Sequence, residues 1–589
     1  MNKNKGSHKA NILFEVSWEV TNKCGGIYTV ITSKIPLMQA KYDSYCLIGP
    51  LFDEVPKDFT ILTPPEAYAR AFSHLALEGV RCVYGSWNIN GSPDTILIDA
   101  RNLMKYVNNI KAYLWEKFSV DSLFSANDFN EPLIWSWAVG KFFENIYQEF
   151  PNENILGHFH EWLSGFGLLY IRDKKIPVAT TFTTHATMLG RTLSSHNILF
   201  DNISFDPISK AKELGVIDKV STEKACALNA DCFTTVSKIT AHECKLFFGI
   251  EPMVLPNGVF LDYFPSFEDS VFRHSKSKEK LYEFVMSHFF PYQHFDLTNT
   301  LFFYYGGRYE FKNKGFDLII ESLTRLDSYL RKQNSKKTIV MFFFVAMNAG
   351  SPKKELLENK SAVDSLISKV HEKADLFLER ITLSILQGSN FADTIPKGFI
   401  SDIKKDFSYI KKTGNPPICT HEMNNDPTIN LLREKGLNNL PENKVKVVFI
   451  PSYLDGNDGL INMDYYDTIS GCHLGLFPSF YEPWGYTPLE SIALAVPAVS
   501  TNTAGFGKHI IESTPDHKGL FVLDRHKNSN LVVDELFGFI KEFSSLDRNE
   551  RIKLKINAHS LASFADWRQL INSYLQAHKK ALNNMSSRL

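Results

Sequence analysis

The chain has 589 residues, which is too many for one hydrophobic core, so two large domains are expected. Hydrophobic residues make up 44% and charged residues 22%, the composition of an ordinary globular protein. The 64 basic and 65 acidic side chains nearly cancel, which disfavours a protein whose affinity for nucleic acid or anionic membranes comes from a general basic charge.

Short apolar strands alternate with helix-length segments from one end of the chain to the other. The predicted strands of the first half are 11–16, 45–49, 95–99, 155–160, 178–185, 232–237 and 253–258. Those of the second half are 301–308, 338–346, 445–452, 473–479, 497–502 and 520–525. Near-continuous apolar strands separated by helices are typical of parallel sheets covered on both faces. The sequence therefore predicts an α/β protein with two facing Rossmann-like domains and a ligand site in the crevice between them.

This alternation also predicts the domain boundaries. We expect an N-terminal Rossmann-like domain at 1–264, an interdomain segment at 265–298 and a C-terminal Rossmann-like domain at 299–548. Residues 352–440 are far too many for an ordinary crossover connection and begin with strong helix formers, which predicts a helical insert that makes an oligomer contact. Apolar residues at helical spacing predict a docking helix within 549–589.

Cysteine usage and hydropathy bear on the compartment. The eight cysteines form no CxxC pair and no metal-ligand spacing, as expected of reduced core thiols. The first residues lack the apolar middle of a signal peptide, and the longest apolar stretch, 339–347, is about half of the roughly 20 residues that a membrane span needs. These features favour a soluble cytoplasmic protein with no membrane partner.

The segment FPSFYEPWGYTPLESIALAVPAVSTNTAGFG, residues 477–507, carries the most chemistry. A strand, a loop and a helix follow one another, with Thr487 predicted as the N-cap and Pro488 as the first helical residue. The free amides of that first turn point into the crevice and suit a phosphate. Glu482 in the loop and Glu490 in the helix suit sugar and ribose hydroxyls. Thr487 and Glu490 also fit a capping box, and both roles are compatible.

The segment YYGGRYEFKNKGFDLIIESL, residues 304–323, supplies cations at the end of another strand. Arg308 and Lys314 suit a diphosphate whose negative charge grows as a glycosidic bond breaks. The alternative is a solvated basic loop. Arg308 favours the ligand site, because an arginine at a strand end after Gly-Gly faces the same crevice as Glu482.

Two further motifs lie in the first half. Gly25 and Gly26 follow the first strand and would let the backbone approach a phosphate closely, although many strand-to-helix turns carry such a pair. The segments HFHEW (158–162) and THATMLGR (184–191) each end a predicted strand. A metal is not predicted, because no third ligand follows HFHE at plausible spacing. His185 and Arg191 are better interpreted as groups that line a sugar–phosphate pocket.

These segments together resemble the UDP-glucose-dependent glycogen synthases of animals and fungi, glycosyltransferase family 3. The matching stretches run in the family's order from about residue 14 to about 525. They are NKCGGIYTVITSK, LIGP, VYGSW, HFHEWLSG, TFTTHATMLGRTL, DCFTTVS, LPNG, GGRYEFKNKG, GCHLGLFPSFYEPWGYTPLE and AGFG. The resemblance implies the glycosyltransferase B architecture, with the C-terminal helix crossing back onto an acceptor and catalytic first domain and a second domain that binds the nucleotide sugar.

The resemblance also implies roles for single residues. Arg308 and Lys314 would bind the donor diphosphate, Glu482 would orient the glucosyl ring, and Glu490 would hold the ribose. His185 and Arg191 would be catalytic-cleft residues. The remaining donor contacts implied are Tyr465 stacked on the uracil and a phosphate cradle made by Gly485, Tyr486 and Thr487.

The implied activity is transfer of glucose from UDP-glucose to the non-reducing end of glycogen, forming α-1,4 linkages with retention of configuration. The resemblance implies no cofactor. It does imply a glycogenin-like primer protein as a partner and a tetrameric assembly. Because Glu482 is assigned to ring contacts, we favour front-face attack by the acceptor hydroxyl over a covalent intermediate. The alternatives are a starch, sucrose or trehalose-phosphate synthase type of retaining transferase, or a catalytically silent glucan-binding scaffold.

Regulation is where the chain departs from the family pattern. Relatives that respond to glucose 6-phosphate carry an arginine cluster before a PPI-x-TH segment, and here PPICTH is preceded by Lys404, Lys405, Lys411 and Lys412. On a helix these lysines would share one face and could bind phosphate more weakly than guanidinium groups would. A solvated basic helix face is the alternative interpretation.

Overall fold

The computed structural model describes residues 10–23, 25–198, 205–388, 411–423 and 425–588. Within these ranges the strands form two open sheets of nine and six strands. None of the helices described combines the length and apolar character that a bilayer span requires. The seven cysteines in the described part of the chain are all free thiols.

The first sheet is mostly parallel, with the strand order β3-β4-β5-β2-β1-β6-β7-β8-β9. Its strands are β1 Ile12–Val16, β2 Ser44–Pro50, β3 Phe59–Ile61, β4 Arg81–Trp87, β5 Asp94–Asp99, β6 Ile155–His160, β7 Ala179–Thr184, β8 Cys232–Thr235 and β9 Met253–Val254. In register, Phe14 of β1 lies between Cys46 of β2 and Gly157 of β6. Only the pairs β3–β4 and β4–β5 are antiparallel in the described sheet.

The second sheet is entirely parallel over the strands described, in the order β12-β11-β10-β13-β14-β15. Its strands are β10 Thr300–Gly306, β11 Thr338–Phe344, β12 Val445–Ile450, β13 Leu474–Leu476, β14 Ala498–Thr501 and β15 Leu520–Leu523. Every residue of β10 and β11 is buried, as expected of strands covered on both faces. The predicted two-domain α/β fold is confirmed.

Helices cover both sheets. Those of the first half are α1 Gly26–Gln39, α2 Glu66–Leu77, α3 Val107–Phe118, α4 Asn127–Glu149, α5 Glu161–Asp173, α6 Met188–Ser195, α7 Pro207–Glu213, α8 Ile217–Asn229, α9 Lys238–Phe248 and α10 Phe267–Phe289. Those of the second half are α11 Phe316–Lys332, α12 Lys354–Glu372, α13 Ala374–Gln387, α14 Pro427–Glu434, α15 Tyr465–Ser470, α16 Tyr486–Ala493, α17 Gly505–Ser513, α18 Ser529–Ser545, α19 Arg548–Leu561 and α20 Trp567–Arg588.

The insert begins as two helices, α12 and α13. Helix α12 packs against α10, whereas α13 exposes large apolar side chains, with Ile385 75% and Leu386 77% exposed. Lys404 and Lys405 lie outside the described residues. Lys411 and Lys412 lie in an irregular segment, where the amide of Lys412 donates to the carbonyl of Pro291 at 2.8 Å, so the shared helical face expected for the lysines does not extend to this pair.

The predicted docking helix is α20, and it crosses back onto the first sheet. Its Trp567 indole donates to the Ser33 hydroxyl at 2.7 Å, and its Arg588 pairs with Asp231 at 3.0 Å. Between these ends, His578 reaches His158 of β6 at 3.1 Å. The second half of the chain therefore contributes buried polar contacts to the first domain.

Candidate active site

The crevice lies where the strand order of each sheet reverses. These switch points are between β1 and β6 in the first sheet and between β10 and β13 in the second. In open α/β sheets, ligands bind outside the carboxyl ends of the strands at such points. The predicted site residues follow strands at or next to these points, which brings motifs from distant parts of the chain to one crevice.

Direct contacts join the two domains across this crevice. The Ser194 hydroxyl of α6 donates to the Asn313 side chain at 2.9 Å, and the Tyr481 hydroxyl donates to Glu243 of α9 at 3.1 Å. Gly26 also lies close to Tyr486, since a Cβ built at Gly26 would be 3.9 Å from the ring of that tyrosine. The structure is therefore a closed arrangement of the domains.

Lys314 and Glu482 form an ion pair inside the crevice. The lysine side chain is 8% exposed and the carboxylate 21%, and the Ser479 hydroxyl donates to the same carboxylate oxygen at 3.2 Å. The backbone amide of Glu482 donates to the carbonyl of Thr503 at 3.2 Å, which holds the loop in place. The structure thus brings together two predicted residues that the sequence places in separate motifs.

Gly315 explains how Lys314 enters the crevice. This residue has φ +71° at the start of α11, and a Cβ there would lie 2.6 Å from the carbonyl oxygen of Pro478. Only glycine fits such a turn without strain. The neighbouring Lys312 turns outwards instead and pairs with Asp317 at 2.7 Å, so this lysine lies apart from the crevice.

Arg308 lies at the mouth of the crevice with its side chain 70% exposed. Its Nε is 3.6 Å from Glu310, and its carbonyl accepts a hydrogen bond from the Tyr305 hydroxyl at 3.0 Å. Burial would raise the pKa of Glu310, but Lys314, Asn313, Arg308 and Arg191 together hold it below its ordinary value. Cations of both domains therefore act on the same carboxylate.

Arg191 is the cation that the first domain contributes. It is exposed on α6, after a Thr187 N-cap that accepts from the Gly190 amide, and makes no ion pair with any residue that the structure describes. His185 lies at the start of the same turn, 7% exposed. Burial lowers the pKa of His185, and the charge of Arg191 lowers it further. Both residues thus lie in the segment that follows β7, where the charge of Arg191 also acts on Glu310 of the second domain.

Three buried glutamates hold this turn, and sequence reasoning gave none of them a role. Glu161 accepts from the amides of His185 and Ala186 at 2.9 and 3.1 Å, and Glu223 accepts from the amide of Met188 at 3.1 Å. Glu243 accepts from the Thr187 hydroxyl at 2.6 Å. Burial raises the pKa of Glu161 and of Glu243 to about 7. One clue in the sequence was an acidic residue directly after β6. In the structure this residue, Glu161, has φ +64°, a costly conformation for a residue other than glycine.

The helix that carries Glu490 begins two residues earlier than expected. Its N-cap is Gly485, with φ +110° and no side-chain cap, so the predicted Thr487 N-cap and the capping box with Glu490 are wrong. Glu490 instead accepts from the Tyr466 hydroxyl at 2.8 Å, and burial raises its pKa to about 7. This leaves the carboxylate available to a ligand.

Tyr465 stands at the end of β10. A Cβ at Gly306 would lie 2.7 Å from its hydroxyl oxygen, so glycine makes room for the ring. The hydroxyl is enclosed and finds no hydrogen-bond partner among the residues described. The ring therefore lies beside the strand that leads to Arg308.

The Gly25–Gly26 turn is arranged differently from the expectation. The amides of Gly25 and Tyr28 donate to the Glu19 carboxylate at 2.9 and 2.8 Å, so a side chain of this protein already lies at the start of α1. Burial raises the pKa of Glu19, although both hydrogen bonds and the nearby Arg191 and Arg308 oppose the shift. The amide of Gly25 is therefore not open to a phosphate.

Glu15, His158 and His160 lie close enough together to share a metal ion. Sequence reasoning missed Glu15 as a third member because it comes from β1. However, Lys34 pairs with Glu15, His160 donates to Glu15 at 2.7 Å, and both nitrogens of His158 are bonded, to Thr183 at 2.7 Å and His578 at 3.1 Å. Side chains thus use the atoms that a metal would need.

Two facing Rossmann-like domains, with cations and carboxylates from both at the crevice, define a glycosyltransferase of the B architecture. The model of the family described as Glycogen synthase matches residues 15–588. On that match, and on the relatives below, this chain belongs to the glycogen synthase family.

Two relatives and one solved structure illustrate the similarity. The chain is 35% identical to glycogen [starch] synthase of Neurospora crassa over 597 residues, covering 98% of this chain and 84% of the relative. It is 36% identical to glycogen [starch] synthase of Caenorhabditis elegans over 599 residues, with coverages of 98% and 89%. The catalytic domain of starch synthase IV from Arabidopsis thaliana, bound to ADP and acarbose, has the same fold with a TM-score of 0.53 at 14% identity, covering 98% of this chain and 100% of that one.

Proposed function

We propose that this protein transfers glucose from UDP-glucose to the non-reducing end of glycogen or a related α-glucan. The new linkage is α-1,4, with retention of configuration. The observation that carries the proposal is the buried Lys314–Glu482 pair between β10 and β13, with Arg308 beside it and Arg191 facing it from the first domain.

The second domain, 299–548, holds the donor in this proposal. Arg308 and Lys314 bind the diphosphate, where a bidentate guanidinium and a point charge complement each other. Glu490 accepts from the ribose hydroxyls, and the Tyr465 ring stacks on the uracil. The amides of Gly485, Tyr486 and Thr487 at the start of α16 complete the phosphate cradle.

Departure of UDP leaves an oxocarbenium-like glucosyl group, and Arg308 and Lys314 stabilise the charge that grows on the leaving phosphate. The acceptor 4-hydroxyl then attacks from the face that the phosphate leaves, and the phosphate oxygen takes its proton. A double displacement would need a free carboxylate nucleophile. Glu482 is bound by Lys314 and Ser479, which supports the front-face route.

No cofactor takes part in this scheme, because side-chain cations neutralise the diphosphate. Water must be kept away from the donor, since otherwise it would be hydrolysed. The contacts Ser194–Asn313 and Tyr481–Glu243 support closure as the means of exclusion. The first domain, 1–264, supplies His185 and Arg191 and receives the glucan, while 265–298 is the hinge side of the molecule.

Assembly and location are part of the same proposal. The exposed apolar side chains of α13 suit a contact with further copies, and we propose a tetramer built through the insert. A glycogenin-like protein would supply the primer. Free thiols in the described residues fit a reducing, cytoplasmic setting. Phosphate binding by Lys404, Lys405, Lys411 and Lys412 would be weak.

The test is incubation of purified protein with UDP-glucose or ADP-glucose, with and without glycogen, following nucleotide release and polymer growth. We expect UDP release that depends on glycogen and matches glucose incorporation. In a parallel assay, the acceptor of a sucrose- or trehalose-phosphate synthase replaces glycogen, and faster transfer to it would assign the protein to another retaining transferase. Failure to lengthen glucan from either donor would refute the proposed activity and favour a catalytically silent glucan-binding protein.

A further inference from the structure

A hydrogen-bonded series of buried polar side chains connects three neighbouring strands beneath the crevice. Glu15 lies in β1, His160 ends β6, and His185 follows β7. His160 Nε2 lies 2.7 Å from Glu15, and His160 Nδ1 lies 2.9 Å from His185 Nε2. The three side chains are at most 7% exposed, so water does not compete for these bonds.

The partners of Glu15 determine which group donates and which accepts in this series of hydrogen bonds. Lys34 and the Tyr45 hydroxyl both donate to this carboxylate, Tyr45 at 2.6 Å. An ionised carboxylate accepts hydrogen bonds only, so His160 must donate to it from Nε2. Burial tends to raise the pKa of Glu15, but Lys34 and His160 hold it well below its usual value.

The same reasoning fixes the roles of His160 and His185. A neutral imidazole carries one N–H, so His160 Nδ1 is an acceptor once Nε2 donates. Burial lowers the pKa of both histidines, which keeps them neutral. His185 must therefore donate from Nε2, because the other tautomer would place two lone pairs against each other across 2.9 Å. Its Nδ1 is left without a proton.

Stacking adds to the hydrogen bonds that hold the ring of His160. His158 stacks on it with ring centroids 4.3 Å apart and planes at 23°. His158 is itself bonded on both sides, to the Thr183 hydroxyl at 2.7 Å and to His578 of α20 at 3.1 Å. The stack therefore supports a single orientation for His160.

The Nδ1 atom of His185 has no hydrogen-bond partner among the described residues, and these residues do not seal it off. A phosphate oxygen has no proton to give and would meet another lone pair here. A hydroxyl group can donate to this nitrogen, so the atom suits the sugar rather than the diphosphate.

We propose that Glu15 and His160 are positioning residues that lock His185 in the Nε2–H tautomer, so that its Nδ1 accepts a hydrogen bond from a hydroxyl of the bound sugar. This inference rests on the proposed function, because it takes the ligand to be a sugar. It gives a positioning role to Glu15 and His160, two buried residues that do not contact the substrate. It also refines the sequence-based expectation that His185 lines a sugar–phosphate pocket.

The variants His160→Gln and His160→Phe form a matched pair. The Gln amide nitrogen can donate to Glu15 while its oxygen accepts from His185, so the donor and acceptor roles of both hydrogen bonds are preserved. The Phe ring fills the space but provides no acceptor. By analogy with residues that orient metal-bound histidines, we expect kcat/KM with UDP-glucose to fall about 10- to 100-fold in His160→Phe, and by much less, about 3-fold, in His160→Gln.

The decisive measurement is nitrogen NMR of protein labelled with ¹⁵N-histidine, with the His185 signals assigned by their loss in His185→Gln. We expect a protonated Nε2 and a bare Nδ1 in the parent and in His160→Gln, and a mixture of tautomers in His160→Phe. A protonated Nδ1 in the unmodified protein would overturn the proposal, and so would equal losses of activity in both His160 variants. The tautomer is read without turnover, so an inactive parent would refute the proposed function separately.

Discussion

The ammonium of Lys314 and the carboxylate of Glu482 are 168 residues apart in sequence and form an ion pair at the ends of two neighbouring strands, β10 and β13. Both groups are largely withdrawn from water, so each depends on the other for its charge to be tolerated. A donor diphosphate that binds Lys314 must share the lysine with this carboxylate. The ion pair itself is neutral, and a bound diphosphate would add negative charge that Arg308 and Arg191 can offset.

Replacing Lys314 tests this arrangement. In Lys314→Met the leaving phosphate loses a cation and Glu482 loses its partner, so kcat should fall about 10²- to 10³-fold, or roughly 3–4 kcal/mol of transition-state stabilisation. The measurement is the initial rate of UDP release with saturating glycogen. Lys312→Met is the matched control, because that side chain pairs with Asp317 outside the crevice and should retain near-parental rates. Equal rates for the two variants would contradict the assignment.

Glu490 should make donor binding depend on pH. Burial raises its pKa to about 7, so the carboxylate gains a proton as the pH falls through that value and becomes a weaker acceptor for ribose hydroxyls. We expect the Kd of UDP, measured by calorimetry, to rise between pH 8 and pH 6. In Glu490→Gln, binding should weaken by about 1.5–3 kcal/mol at pH 8, and the contribution of this group to the pH dependence should vanish. A pH dependence unchanged in the variant would argue against the role.

Tyr481 should help to keep the crevice closed. In Tyr481→Phe the hydroxyl that donates to Glu243 across the domain boundary is absent, so the closed state is stabilised less. A neutral hydrogen bond typically contributes about 1 kcal/mol, and one to a charged group somewhat more. We expect the ratio of UDP-glucose hydrolysis to glucosyl transfer to rise several-fold. Tyr329→Phe on α11 is the control, and a rise in that variant too would show an effect unrelated to closure.

His578 should stabilise the first domain from the end of the chain. In His578→Phe, Tyr42 loses the hydrogen-bond partner that lies 2.5 Å from its hydroxyl, and His158 loses its partner at 3.1 Å. Leaving such buried groups unpaired costs about 1–3 kcal/mol, so the midpoint of unfolding in urea should fall. Lys579→Ala changes an exposed residue on the same helix and should leave the midpoint unaltered. A midpoint unchanged in His578→Phe would contradict the importance of these bonds.

Hydropathy predicted the parallel strands of both sheets, because buried parallel strands are continuously apolar. The long strands at 301–308 and 338–346 correspond to β10 and β11. The short β3 and the antiparallel β4 were missed, since neither shows a continuous apolar run of that kind. The start of α16 was misplaced by the TP pair, because the actual N-cap, Gly485, works through a left-handed backbone rather than a side chain.

Lys314 and Glu482 came together because the strands that precede them, β10 and β13, are neighbours in the second sheet. What the sequence could not predict was how acids pair inside the fold. Glu161, Glu223 and Glu243 lie far apart in the chain and converge on one turn by accepting backbone and hydroxyl hydrogens. Likewise, Glu19 fills the position that the Gly25–Gly26 turn suggested for a phosphate. Such partnerships depend on distances that only the folded chain defines.

Helix α20 has a consequence for how the protein is made. His158 has its Nδ1 satisfied by His578, and Ser33 and Asp231 are likewise bonded by residues of the same late helix. A nascent chain that has emerged only as far as residue 264 holds the whole first sheet yet lacks these partners. Its histidine stack would then await a segment translated about 300 residues later, and a fragment cut at residue 264 would be an incomplete folding unit.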